Sequence, residues 1–282
     1  SQTMGSDFTL LLMDKKEGVT SFSSLYPIKK ENKGKKVGHA GTLDKFASGL
    51  MVVFIGSATR LNPVFSSFGK KYVGKLKFGV ETDTLDPEGN VVGESSHIPS
   101  KEEIDEILPS FLGRQLQVPP LYSALHVDGK RAYQIARKGE EVDMEPREIE
   151  IYSLRALSYE SGILEFEASV SKGTYIRSLA RDIALKLNSR GHLIALRRTE
   201  VGPFTLSDIG KDTFTLLDKT NLFSTVVMDG KKRKLIHNGS GLDSSILSDT
   251  DKDKPYCFVK IDDELYGIGE KNHKFKFLTR FQ

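Results

Sequence analysis

The chain has 282 residues, 38% of them hydrophobic and 28% charged, with a net charge of only +3. This is the composition of a soluble globular protein, with one large domain or a large and a small one. It excludes a spanning helix, since no run approaches the roughly 18 apolar residues required, and the single Cys257 excludes an internal disulfide. The N-terminus shows no signal-peptide pattern, and a lone thiol fits a reducing, cytoplasmic location.

In chain order, residues 8–13 form a short apolar run that predicts a buried strand. Residues 21–30 have weak helical character. Five lysines (Lys29, Lys30, Lys33, Lys35, Lys36) then lead into a loop from Gly38 to Gly49 that contains three glycines and one carboxylate, Asp44. Residues 50–55 read as a fully buried strand ended by Gly56-Ser57. Residues 58–68 are helical in pattern, with Pro63 disturbing the start. Over 72–78 the chain alternates: Tyr72, Gly74, Leu76 and Phe78 share one face, and Lys75 and Lys77 the other. Residues 86–90 are a turn.

Ser100 and Glu103 form a capping-box pattern before Ile104, Ile107, Leu108 and Phe111, with Pro109 expected to kink or shorten that helix. Pro119-Pro120 opens a segment rich in Lys, Arg and Tyr that runs to about residue 147 and that, taken on its own, reads as an ordinary long loop with an amphipathic helix over 132–138. Residues 149–152 and 164–170 predict strands. Ile176, Leu179, Ala180, Ile183, Ala184 and Leu187 recur at helical spacing, so a helix is expected between Thr174 and Gly191. From about Met228 the texture changes to short strands (256–261, 265–268, 275–278) split by turn residues, which predicts a small all-β unit.

An acid held in a glycine-rich loop among cations is either placed for chemistry or a plain Asx-turn. The lysine clusters on both sides raise the local concentration of polyanions, or are simply solvated. Six scattered histidines give no metal-ligand spacing, and no G-x-x-x-x-G-K-[ST] loop is present, so neither metal nor cofactor is expected.

Six segments, spread over about residues 10–204, carry a family resemblance. They are Gly38-His39-Ala40-Gly41-Thr42-Leu43-Asp44; Lys71-Tyr72; Thr82-Asp83-Thr84-Leu85-Asp86 with Gly89; Pro120-Leu121-Tyr122-Ser123-Ala124; Ser171-Lys172-Gly173-Thr174-Tyr175-Ile176-Arg177; and Leu196-Arg197-Arg198-Thr199. Together they resemble the tRNA pseudouridine synthase B (TruB) family. The resemblance implies an α/β catalytic domain over 8–225, built on a mixed, mostly antiparallel sheet flanked by helices. It implies a thumb-like insertion at about 120–147 and a PUA-like RNA-binding domain over 228–282, suggested by Asn238-Gly239 and Tyr266-Gly267-Ile268-Gly269. The implied activity is isomerisation of the T-loop uridine (position 55) of tRNA to pseudouridine by a monomeric enzyme.

The resemblance also implies site roles. Asp44 would be the nucleophile and Arg177 its ionic partner. Tyr72 would stack on the uracil and help move a proton, or be a core tyrosine, or both. Tyr175 and Leu196 would line the pocket, His39 would help displace loop nucleotides, and Asp86 would be a polar pocket residue or a simple turn former. Lys130 and Arg131 would contact RNA from the thumb. Lys45 stands where the family usually has Pro, which is expected to leave the loop freer.

The chemistry needs a carboxylate and neither metal nor redox cofactor. Extruding the base costs a few kcal/mol; stacking on an aromatic returns roughly 1–3 kcal/mol. Phosphate contacts supply much of the rest. Two other functions compete: an RNA-binding protein that reuses the scaffold, and a metal-dependent nuclease using Asp83 and Asp86.

Overall fold

The computed structural model describes residues 7–121, 144–232, 253–271 and 274–281, with the backbone of two short strands at 126–127 and 130–131. The strands of its first half are β1 (Phe8–Lys15), β2 (Val37–Ala40), β3 (Ser48–Gly56), β4 (Lys70–Phe78), β5 (Val80–Thr82), β6 (Val91–Glu94), β7 (Gly113–Gln117), β8 (His126–Val127) and β9 (Lys130–Arg131). Those of the second half are β10 (Arg147–Glu160), β11 (Ile163–Val170), β12 (Gly191–Val201), β13 (Phe204–Thr205), β14 (Phe223–Met228), β15 (Tyr256–Ile261), β16 (Glu264–Lys271) and β17 (Phe275–Arg280). The helices are α1 (Ser21–Ser24), α2 (Tyr26–Glu31), α3 (Asn62–Ser66), α4 (Lys101–Ile107), α5 (Ile176–Lys186) and α6 (Thr213–Lys219).

The larger body is a nine-stranded sheet in the order β1-β3-β12-β4-β11-β10-β7, with β2 beside β3 and β13 beside β12. All its pairings are antiparallel except β12 with β3, so the sheet is mixed and mostly antiparallel. The apolar run of β3 is buried on both faces, with Leu50, Val52 and Phe54 in one core and Met51 and Val53 in another. One edge of β3 belongs to β1; the other is shared by β12, at Ser48 and Gly49, and by β2, from Val52 to Ile55.

Strand β4 alternates as its sequence dictates, with Tyr72, Gly74, Leu76 and Phe78 inward and Lys75 and Lys77 exposed. Its inner face joins β10, β11, β12, α4 and α5 in one apolar core. The apolar stripe of α5 supplies Ile176, Leu179, Ala180, Ile183 and Ala184 to it.

Prolines set several helix ends. The residue 21–30 stretch is two short helices rather than one, with Pro27 in the first turn of α2. Residues 57–61 form a 3₁₀ turn and α3 begins only at Asn62, with Pro63 in its first turn, where a missing N–H costs nothing. The Ser100–Glu103 capping box is formed, and Pro109 ends α4 at Ile107 in a 3₁₀ turn.

The last four strands form a separate sheet, β14-β15-β16-β17, consistent with a PUA-like unit. It starts at Phe223, because β14 pairs in parallel with β15 from Phe223–Tyr256 to Met228–Ile261. The division read at 225–228 therefore cuts through a strand of this sheet. One face carries Tyr256, Phe258, Ile268 and Leu278 into the same core as Phe8, Leu10 and Phe204 of the larger body. The other face buries Cys257 completely, which pushes its thiol up to about 11. Among the described residues, no helix is long and apolar enough to cross a membrane.

Candidate active site

The loop between β2 and β3 carries Asp44, and neighbours on both sides fix it. The Ser21 hydroxyl donates to the Leu43 carbonyl at 2.7 Å and accepts from the Leu43 N–H at 2.9 Å. The Lys45 carbonyl accepts from the Gly18 N–H at 2.8 Å and from the buried Lys15 ammonium at 3.2 Å. The Ala47 N–H closes the turn on the Asp44 carbonyl at 3.0 Å. The Lys45 carbonyl is thus held by two hydrogen bonds, and its side chain is exposed.

Arg177 lies in the first turn of α5, with its side chain only 4% exposed. Its Nε donates to Asp44 Oδ2 at 2.9 Å and its Nη2 to Oδ1 at 3.3 Å, a two-point grip that fixes the carboxylate plane. A third bond, from Nη1 to the Thr84 carbonyl at 2.9 Å, anchors the guanidinium to the 82–90 turn. The Asp44 side chain itself is 37% exposed. A buried cation therefore holds one side of the carboxylate while the rest faces open space.

That space is a pocket of about 240 Å³, small for a ligand site, walled in part by Asp44, Tyr72, Tyr175, Leu196, Lys70 and Arg198. Tyr72 and Leu196 are core residues that also face the pocket. Adjacent strands bring them together, with Leu196 opposite Gly74 and Arg198 opposite Tyr72. Tyr175 caps α5, and Gln117 grips its backbone twice: Oε1 accepts from its N–H at 2.9 Å and Nε2 donates to its carbonyl at 3.1 Å.

Lys70, read only as part of a lysine cluster, and Arg198, read only within a motif, had no assigned place in the pocket, yet they make its inner wall cationic. Arg198 is fully buried and donates to the carbonyls of Leu50 at 2.9 Å and Gly41 at 3.0 Å. Lys70 donates to the Ser66 carbonyl at 2.8 Å, and burial, then the charges of Arg198 and Lys172, push its ammonium down to about 8. For Lys70 the signal was strand parity, since it lies two residues from Tyr72 on the same face of β4. Arg198 lies two residues from Leu196 on β12, a strand that the sequence pattern did not show.

The remaining expected residues divide. His39 is on β2 but not on the pocket wall; its Nε2 is 3.4 Å from Thr42 Oγ1. Burial, then the charges of Arg198 and Lys29, lower its pKa below the usual histidine value. Asp86 is buried in a turn, the turn-former position, with its Oδ1 accepting from Thr84 Oγ1 at 2.6 Å and from the Glu88 N–H at 2.9 Å. The Asp83 carboxylate likewise closes the turn on the Asn90 N–H at 2.9 Å. Among the described residues, no group of three or more His, Cys, Asp or Glu is arranged to hold a metal. Lys130 and Arg131 form β9, which pairs with β8; their side chains, and most of the 120–147 segment with its expected helix, lie outside the described residues, as does Asn238-Gly239.

Residues 29–176 match the model of the TruB family pseudouridylate synthase N-terminal domain. The chain belongs to the TruB family. Relatives named tRNA pseudouridine synthase B extend the match beyond that domain. The protein of Borreliella burgdorferi (strain ZS7) is 41% identical over 273 residues, covering 94% of this chain and 97% of the relative. That of Clostridium kluyveri is 37% identical over 287 residues, covering 96% and 99%. A chain solved in a Cbf5-Nop10-Gar1 complex superposes with a TM-score of 0.64 at 22% identity, covering 97% of this chain and 86% of that one, and shows the shared fold. Within this TruB-family chain the domain match takes in Asp44 and Tyr72 and stops one residue short of Arg177.

Proposed function

We propose that this pseudouridine synthase isomerises the T-loop uridine of tRNA, position 55, with Asp44 as nucleophile. The observation that carries the proposal is one half-exposed carboxylate, gripped by a buried guanidinium at the mouth of a small pocket with aromatic walls. A folded RNA loop cannot present its base to such a pocket, so the uridine is extruded. Tyr72 supplies a stacking surface, while Tyr175 and Leu196 close the pocket around the base.

Asp44 attacks the nucleotide, on ribose or base, and the N-glycosidic bond breaks. The uracil turns and its C5 bonds to the ribose C1′. C5 then gives up its proton, N1 gains one, and the carboxylate is released. Arg177 holds the carboxylate in the attacking orientation, and Lys70 and Arg198 oppose phosphate charge near the pocket. No step calls on a metal or cofactor. Lys130 and Arg131 would add RNA contacts from the thumb, and the C-terminal sheet would serve as the PUA-like RNA-binding unit.

The test is tritium release from C5-labelled uridine in unmodified tRNA. Asp44→Asn is expected to abolish release while tRNA affinity stays within a few-fold, since the amide keeps the shape and loses the nucleophilic charge. Appreciable turnover by this variant removes Asp44 from the mechanism. Wild-type release from a tRNA lacking uridine 55 removes the assigned position.

A further inference from the structure

Phe22 and Tyr26 are the most exposed aromatic rings among the described residues, at 70% and 67%. Two neighbouring rings left in water forgo the apolar burial that core aromatics gain. They are not scattered singly. Leu25, which joins α1 to α2, keeps helical angles (φ −82°, ψ −10°), so residues 22, 26 and 29 follow an i, i+4, i+7 line. The Lys29 ammonium sits 3.8 Å from the centre of the Phe22 ring.

The charge around these rings is one-sided, with five lysines and one glutamate between residues 22 and 36. Aromatic planes interleaved with cations match an unpaired nucleotide, which offers a flat base to stack and a phosphate to neutralise. An acidic peptide would answer only the charge, and a second copy of this basic face would repel it. The mount is rigid and close to the chemistry: Ser21, next to Phe22, is hydrogen-bonded both ways to Leu43, the neighbour of Asp44. The charge of Lys29 also reaches His39 near the pocket.

We propose that Phe22, Tyr26 and Lys29 form a stacking site for an unpaired nucleotide of the RNA substrate, outside the pocket that takes the reacting base. The proposal rests on RNA being the substrate and is independent of Asp44 being the nucleophile.

The chain contains no tryptophan, so Phe22→Trp installs a single indole reporter. In an Asp44→Asn background, saturating unmodified tRNA is expected to quench that indole. Phe22→Ala with Tyr26→Ala is expected to raise KM for tritium release about tenfold while kcat stays within about twofold, the effect of one lost stack. Lys29→Gln is expected to lower the slope of log affinity against log salt by about one. Thermal midpoints equal to the parent's verify the fold of each variant.

An unchanged emission at tRNA concentrations where filter binding shows the complex overturns the proposal, as does an unchanged KM in the double variant. Emission that shifts with protein concentration and not with RNA also overturns it and marks a protein contact instead. Failure of the parent to release tritium while the quench persists sinks the reaction assignment and leaves the stacking site standing.

Discussion

The ion pair at the centre of the site is buried on one side only, which gives its two halves different worth. Asp44→Leu takes the carboxylate away from a guanidinium that is 4% exposed and that keeps its bond to the Thr84 carbonyl. It is expected to destabilise by about 2–3 kcal/mol, below the roughly 3–5 of a pair buried on both sides. Arg177→Met leaves a carboxylate that water already reaches, and about 1 kcal/mol is expected. Arg177→Met combined with Asp44→Leu should regain most of the difference. Urea unfolding of the four proteins measures this, and additivity within about 0.5 kcal/mol would deny the interaction. Lys70 gives a second signed expectation. Its ammonium is lowered to about 8 from the ordinary 10.5, so its charge costs stability in full below about pH 8 and progressively less up to about 10.5. Lys70→Met should therefore raise the thermal midpoint at pH 7, with the gain fading toward pH 10.5. In the parent, kcat/KM on tRNA should fall as the pH rises through about 8, while Lys70→Arg stays level. Asp44 and Arg177 were legible as separate motif residues. Their two-point contact was not, because it joins positions 133 apart in sequence.

Elements bring those residues together, and the seam that matters is where β12 runs parallel to β3 for two residue pairs. Gly49 lies there with φ of 118°, and an added Cβ would overlap the Arg198 carbonyl oxygen. Gly49→Ala is expected to cost at least about 3 kcal/mol, the sum of backbone strain and a forced shift of β12. Gly34, at φ of 83° with open space around it, isolates the backbone part, so Gly34→Ala should cost only about 1–2 kcal/mol. Chemical denaturation of both variants tests the comparison; equal losses would mean the seam is not tight. Helix α5 was readable because its apolar residues repeat at helical spacing. Strand β12 was not, since Arg197, Arg198, Thr199 and Glu200 break any apolar alternation. Arg198 tolerates burial there only because carbonyls of Leu50 and Gly41 receive its guanidinium, and those acceptors lie about 150 residues away.

At the scale of the molecule, the sequence divides into a large α/β part and a small all-β part, and the structure has both sheets. What no local pattern revealed is that they share a core. Phe214 of α6 meets Phe258 of β15 at 4.7 Å between ring centres, within the cluster that also holds Phe8, Leu10 and Ile268. A change of texture near residue 228 marks a new sheet but says nothing about what that sheet leans on. Because removing the C-terminal sheet would uncover this cluster, calorimetry of the intact chain is expected to show one transition, with calorimetric and van't Hoff enthalpies equal. Cys257, buried on β15 and the only thiol in the chain, then acts as a clock built into the protein. A thiol-reactive dye added under native conditions can label it only at moments when the small sheet comes apart. If the two parts rise and fall together, the dye reacts no faster than the whole molecule unfolds. Labelling that outpaces unfolding would reveal a sheet that lifts alone, and slowing of that labelling by bound RNA would time how firmly the RNA holds it shut.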